Sequence, residues 1–330
     1  MHQHIKIYYK VPLSSNESKL DVLTPYHNDP NMAMARVFNP SMHGGVEDLN
    51  TITRFMHIPQ GHVSDKMDDE PYIVPFIAKG SDKCVIVCAG GAYVDVSLDN
   101  EGYPTCEFLQ AHGISAFALK YRVWPFKYPC ALLDLRRAIC YIKFHHKEFG
   151  IDPNKISIMG FSAGGNLVAT KALKFSEFPK IDNYELDEID KIDDSIATVA
   201  PIYGELLGDE FLMSLQYGEE VLNNKEYAKK ICEENNLVNY VNKDSTPMFL
   251  TACKDDSVVN PLNSIEMALA YEKAKATYEL HLFSEGGHGF GVTQDNVPPM
   301  YGHNGFNMDG TKHWIRLYID WLNKVVKWKI

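Results

Sequence analysis

Paired cysteines are missing from these 330 residues: the seven cysteines are odd in number and form no CxxC pair. That spacing would be needed for a zinc ribbon or a dithiol redox site. Cys84, Cys88, Cys140 and Cys253 lie in apolar segments and read as buried, reduced thiols of a cytosolic protein. No apolar run reaches the roughly 18 residues of a membrane-spanning helix. The N-terminal stretch MHQHIKIYYKVPLSSNES has no apolar core followed by a small-residue cleavage site, so no signal peptide is read and a cytoplasmic location is expected. Basic charge is also in deficit. With 32 Lys and Arg against 43 Asp and Glu, the net charge is −11, which argues against nucleic acid or an anionic membrane as the main partner. Internal repeats and low-complexity segments are absent. The two histidines of MHQH sit at a flexible terminus and make a poor metal cage, so neither metal nor cofactor is expected.

What is present is an apolar fraction of 45%, enough to bury a large core. Residues 1–70 are polar and rich in breakers, and read as an N-terminal arm or cap packed on a main domain over 71–330. From Pro71 onward, short apolar runs recur at 83–89, 114–120, 155–160, 196–200, 247–253 and 278–283. Near-continuous runs of this length suit strands covered on both faces, as in a parallel sheet. Helical patterns lie between them. In CALLDLRRAICYIKFHHKEFG, Leu132, Leu135, Ile139 and Ile142 recur at spacings of three and four, and Gly150 closes the run. NSIEMALAYEKAKA and TKHWIRLYIDWLNKVVKW are two further helices. Such alternation predicts an α/β fold with a mostly parallel central sheet flanked by helices on both faces. The acidic, Asn- and Tyr-rich stretch 174–243 reads either as exposed helices or as a helical cap insertion over a pocket.

The sharpest signal is KISIMGFSAGGNLVAT, where Gly160-Phe161-Ser162-Ala163-Gly164 fits G-x-S-x-G between a strand and a helix. A serine at so tight a turn projects its hydroxyl clear of the sheet, and small neighbours two positions away let the strand and helix backbones approach. The helix that follows points its first amides at the place where an oxyanion would form. Such a serine needs a base, and the base needs an orienting carboxylate, in the chain order Ser, acid, His. After Ser162 stand His281, His288, His303 and His313. His288, in SEGGHGFG just after a strand, is the expected base, with His303 as runner-up. His281 lies within the strand and His313 starts a helix, so both read as structural. FLTACKDDSVVNP offers Asp255 or Asp256 as the acid. The loop after Ala89 supplies oxyanion donors at Gly91 and Ala92, with the Ala163 amide as a third. That loop, CAGGAYVDV, has neither G-x-G-x-x-G nor GxxxxGK[ST], so a phosphate cradle is not read.

Together these segments resemble the α/β-hydrolase carboxylesterases similar to hormone-sensitive lipase and to acetylxylan esterases, the acetyl and feruloyl esterase group. CAGGAY stands where that group has HGGG or PGGGY. ALLDLRRAICYIKFHHKEFGIDPNKISIMGFSAGGNLVAT resembles its helix, turn, strand and elbow, APIYG a segment after the sixth strand, and KDDSVVNP and EGGHGFG its acid and histidine loops. The resemblance runs over about residues 71–328. It implies an α/β-hydrolase fold and a Ser162, Asp256, His288 triad. Asp256 is favoured over Asp255 by the Asp-x-x-Val spacing to Val259. Ala89 and Ala92 depart from HGGG, and Asn260 replaces a proline. The implied activity is hydrolysis of short-chain carboxylic esters, with acetylated or feruloylated sugars as natural substrates. Tyr93, Trp124 and Tyr203 are candidates for substrate contact, and the long 292–310 segment could line the pocket. A serine peptidase of prolyl-oligopeptidase type, or a non-catalytic binding protein on the same scaffold, are the alternatives. The expected partner is a small-molecule ester, with a homo-oligomer allowed.

Overall fold

Cys84-Val85-Ile86-Val87-Cys88 is buried at every position, the pattern of a strand with helices on both faces. It is one of eight strands in the computed structural model, which describes residues 3–8, 71–124, 126–175, 181, 184–218, 220–292 and 310–327. The strands are β1 (Ile5–Lys6), β2 (Tyr72–Phe76), β3 (Cys84–Cys88), β4 (Ser115–Lys120), β5 (Ile156–Phe161), β6 (Val199–Ile202), β7 (Met248–Cys253) and β8 (Tyr278–Phe283). Their order across the sheet is β1-β2-β4-β3-β5-β6-β7-β8. β1 and β2 run antiparallel to their neighbours; β4, β3 and β5 to β8 are parallel.

Among the described residues the helices are α1 (Tyr103–Ala111), α2 (Cys130–Phe144), α3 (His146–Phe149), α4 (Ala163–Leu173), α5 (Glu210–Tyr217), α6 (Glu220–Asn223), α7 (Lys225–Glu234), α8 (Leu262–Ala274) and α9 (Trp314–Val325). Strand alternation sorts side chains onto two cores. Cys84, Ile86, Phe117 and Leu119 face one layer, where Leu132, Leu135 and Ile139 of α2, Leu167 of α4 and Met267 of α8 pack. Val85, Val87, Ala116 and Ala118 face the other, against Leu109 of α1 and Trp314, Tyr318, Trp321 and Leu322 of α9. No described helix is long and apolar enough to cross a membrane.

Three expectations change here. Residues 71–76 hold β2, which the pattern of apolar runs does not reveal because Pro75 interrupts it. β1 pairs with β2 only at Tyr72 and Ile73, so Pro75 needs no donor on that side. The strand expected at 196–200 lies at Val199–Ile202, because Pro201 continues the strand instead of ending it. Stretch 174–243 is therefore not one insertion: β6 lies inside it, in mid-sheet, and its helical part is α5 to α7 plus the turn at Leu237–Tyr240. Of residues 1–70 only 3–8 are described; the rest of that arm, His303 and 293–309 lie outside the described residues.

Candidate active site

Parallel strands end on the same edge of the sheet, and the residues singled out in sequence follow those ends. Ser162 directly follows β5. It has φ 51° and ψ −116°, a conformation that costs a non-glycine residue about 1–3 kcal/mol. The flanking glycines are forced by close approach: a Cβ on Gly160 would sit 2.0 Å from the Gly164 carbonyl oxygen, and one on Gly164 2.1 Å from that of Cys88.

His288, five residues beyond β8, places Nε2 2.9 Å from Ser162 Oγ and Nδ1 2.8 Å from Asp256 Oδ2. The His288 and Asp256 residues are 6% and 7% exposed, so the contact between them is shielded from water. The other Asp256 oxygen accepts the amides of Val258 and Val259, both at 2.9 Å, which fixes the carboxylate's orientation. Asp255 points elsewhere. It accepts the amides of Gly286 at 3.2 Å and Gly287 at 2.9 Å, and so holds the loop that carries the imidazole. His281 bonds Glu279 at 2.8 Å from within β8, and His313 is exposed.

The loop after β3 turns back on itself, with Gly91 accepting the amides of Val94 and Asp95 through its carbonyl. Among the described residues the amides of Gly91, Ala92 and Ala163 find no acceptor, while that of Gly90 donates to Glu101 Oε2 at 2.6 Å. Ala163 opens α4, where the first amides have no intrahelical partner.

The three candidates for substrate contact differ in setting. Tyr93 is 5% exposed and donates to Asn166 Oδ1 at 2.8 Å. Tyr203 is 1% exposed, donates to Glu101 Oε1 at 2.8 Å, and stands edge-on to the His288 ring at 4.9 Å. Both hydroxyls are thus used inside the protein. Trp124 is half-buried and gives its amide to the Tyr93 carbonyl at 2.6 Å. A small cleft lined by Tyr93, Phe126, Lys127, Tyr128, Leu167 and Gln216 lies beside α4 and the loop after β3. Neither Ser162 nor His288 lines it.

Sequence reasoning missed Glu101, Asn166 and Glu205. Asn166 accepts from Tyr93 and Gln216 and donates to the Glu205 carbonyl at 2.9 Å, so it ties α4 to the end of β6. Glu101 and Glu205 are carboxylates in loops of ordinary composition, and only their burial marks them. Burial raises the Glu101 carboxyl, while the Gly90 amide and the Tyr203 hydroxyl act in the opposite direction. Glu205 is 6% exposed. One oxygen accepts the Leu207 amide at 2.8 Å, and the other has no partner among the described residues. Burial pushes its pKa from 4.5 up to about 7.

Between those two values the folded chain keeps a proton that the unfolded chain releases, so stability falls as pH rises through that window. Glu205→Gln should therefore stabilise by about 1–3 kcal/mol at pH 8, since each pH unit between the two values is worth ~1.4 kcal/mol, and by little at pH 4.5. Urea unfolding at the two pH values measures this, and an equal effect at both would contradict it. The cysteines are all free. Burial raises the thiols of Cys84 and Cys88, and brings those of Cys130 and Cys140 to about 11. Among the described residues no cluster of three or more His, Cys, Asp or Glu could hold a metal ion.

Comparison with known proteins agrees with this architecture. The BD-FAE family model matches residues 73–271. Endo-1,4-beta-xylanase B of Butyrivibrio fibrisolvens is 27% identical over 240 residues, covering 69% of this chain and 35% of the xylanase. The acetylxylan esterase of Xylanibacter ruminicola is 31% identical over 101 residues, 30% of this chain and 21% of that one. The chain thus spans about a third or less of the length of these curated relatives. The crystal structure of an acetyl ester-xyloside bifunctional hydrolase from Caldicellulosiruptor lactoaceticus superposes with a TM-score of 0.62 at 30% identity, covering 78% of this chain and 88% of that one. The chain belongs to the BD-FAE family and is an α/β-hydrolase of the esterase group.

Proposed function

We propose that this chain is a serine carboxylesterase that transfers a short acyl group to Ser162 and then to water. The observation that carries the reading is the continuous line of contacts Ser162 Oγ, His288 Nε2, His288 Nδ1, Asp256 Oδ2, at 2.9 and 2.8 Å. In it, His288 takes the hydroxyl proton as Ser162 attacks an ester carbonyl, and Asp256 holds the imidazole with its proton on Nδ1 and stabilises the imidazolium. The amides of Gly91, Ala92 and Ala163 receive the oxyanion. His288 returns the proton to the leaving alkoxide, and a water molecule attacks the acyl-enzyme by the same route.

The substrate class follows from likeness rather than from contacts. Relatives named for acetylxylan and for acetyl ester-xyloside hydrolysis favour acetyl esters of sugars; the feruloyl esters implied by the sequence resemblance come second. A panel of nitrophenyl esters of graded chain length, with acetylated xylan and a feruloylated sugar beside it, tests this. Acetate and propionate should turn over fastest and acetylated xylan should release acetate. Turnover of none of them would contradict the reading.

A further inference from the structure

Glu101 has no part in the acyl transfer described above, yet it is a carboxylate 4% exposed within reach of the site. It lies on a π-helical turn, Leu98–Gly102, between β3 and α1. Its two oxygens serve two different loops. Oε2 accepts the Gly90 amide at 2.6 Å, and Oε1 accepts the Tyr203 hydroxyl at 2.8 Å. Gly90 begins the oxyanion loop and is pressed against the nucleophile: a Cβ there would lie 3.0 Å from Ser162 Cβ and 2.9 Å from Glu101 Oε2. Tyr203 backs the imidazole, its ring 4.9 Å from that of His288. Its hydroxyl also accepts the amide of Gly291 at 3.2 Å, and the Gly291 carbonyl accepts the Trp314 indole N–H at 2.7 Å. One side chain therefore joins the loop after β3, the end of β6 and the histidine loop after β8.

We propose that Glu101 is a positioning residue that sets the oxyanion loop and the catalytic imidazole together, a reading that rests on the acyl-transfer function proposed for Ser162. A neutral amide carries one acceptor oxygen and would meet only one of these donors, whereas a carboxylate meets both at the cost of a buried charge, which is unfavourable unless it is used. Its use here is electrostatic. Burial raises the Glu101 carboxyl, the donors on both its oxygens act in the opposite direction and favour the ionised form, and Tyr203 links it to the His288 ring. A negative charge there favours the imidazolium that forms as Ser162 loses its proton. Among the described residues, the other groups facing this cluster are Asp256 on the far ring nitrogen of His288, Tyr203 itself, and Tyr121, whose hydroxyl is held by the Ala89 carbonyl at 2.6 Å.

The test uses the full chain with nitrophenyl acetate. Glu101→Gln keeps the size and one acceptor oxygen, and removes the charge and the second acceptor. It should lower kcat about 10-fold with KM within about two-fold, and move the acidic limb of the kcat/KM profile down by about half a pH unit or more. Glu101→Ala, which also frees the Gly90 amide, should lose about 100-fold. Tyr203→Phe, which keeps the ring beside His288 and removes the hydroxyl that joins Glu101 to the Gly291 amide, should move the limb in the same direction by less. If Glu101→Gln does not fold, the limb in Tyr203→Phe decides. An unmoved limb with parental kcat in a folded variant overturns the proposal while the esterase reading stands. A parent protein that neither turns over nitrophenyl acetate nor is phosphonylated at Ser162 overturns both.

Discussion

Ser162→Ala should lower kcat for an activated acetate ester by about 10^3- to 10^6-fold while leaving the fold in place. The size of the loss reflects what the hydroxyl does in the proposed reaction: without it there is no acyl-enzyme, and only the oxyanion amides and the bound geometry remain to assist water. The fold should survive because alanine at 162 meets the same backbone demand. The strained φ of 51° belongs to the turn, and Ser162 already adopts it with a Cβ present. Circular dichroism and thermal melting of the variant beside its kinetics separate lost chemistry from lost structure. Parental turnover by a folded Ser162→Ala protein would contradict the proposed role.

Asp256→Asn should cost about 10^4 in kcat, and Asp255→Asn at most about 10-fold, although the two aspartates are neighbours. The Asp256 carboxylate accepts the Val258 and Val259 amides through one oxygen and meets His288 Nδ1 through the other. In the Asp256→Asn variant the side-chain oxygen would stay with the two backbone donors, and the NH2 would face the ring. The ring must then present a bare Nδ1 and carry its proton on Nε2, the nitrogen that has to accept from Ser162. Asp255 touches no reacting group. It holds the Gly286 and Gly287 amides, so its loss loosens the histidine loop without changing the tautomer. Parallel kinetics on the two variants read this difference directly, and equal losses would contradict the assignment.

Legibility in the sequence followed the physics of each feature. The elbow could be read because a strand, a strained serine and close-packed glycines leave little choice of residue: Gly160 and Gly164 have no room for a Cβ. The inner strands could be read because burial on both faces demands continuous apolar runs, as in β3 and β5. β2 and the far end of β6 could not, because each contains a proline that tertiary pairing tolerates. Local residues alone left Asp255 and Asp256 open, since both follow β7 and only the direction of each side chain separates them. Glu101 and Glu205 left no trace, because a buried carboxylate looks like a surface one until the donors that meet it, from Gly90, Tyr203 and Leu207, are brought in by the fold.

The proposed activation of Ser162 by His288, which would make the serine the acyl acceptor, is tested most directly by treatment with a fluorophosphonate, followed by mass spectrometry of the peptides. The expected result is one phosphonyl group per chain, located on Ser162, with labelling abolished in His288→Ala although the serine remains. Labelling at another residue, or equal labelling of Ser162 with and without the imidazole, would contradict that activation.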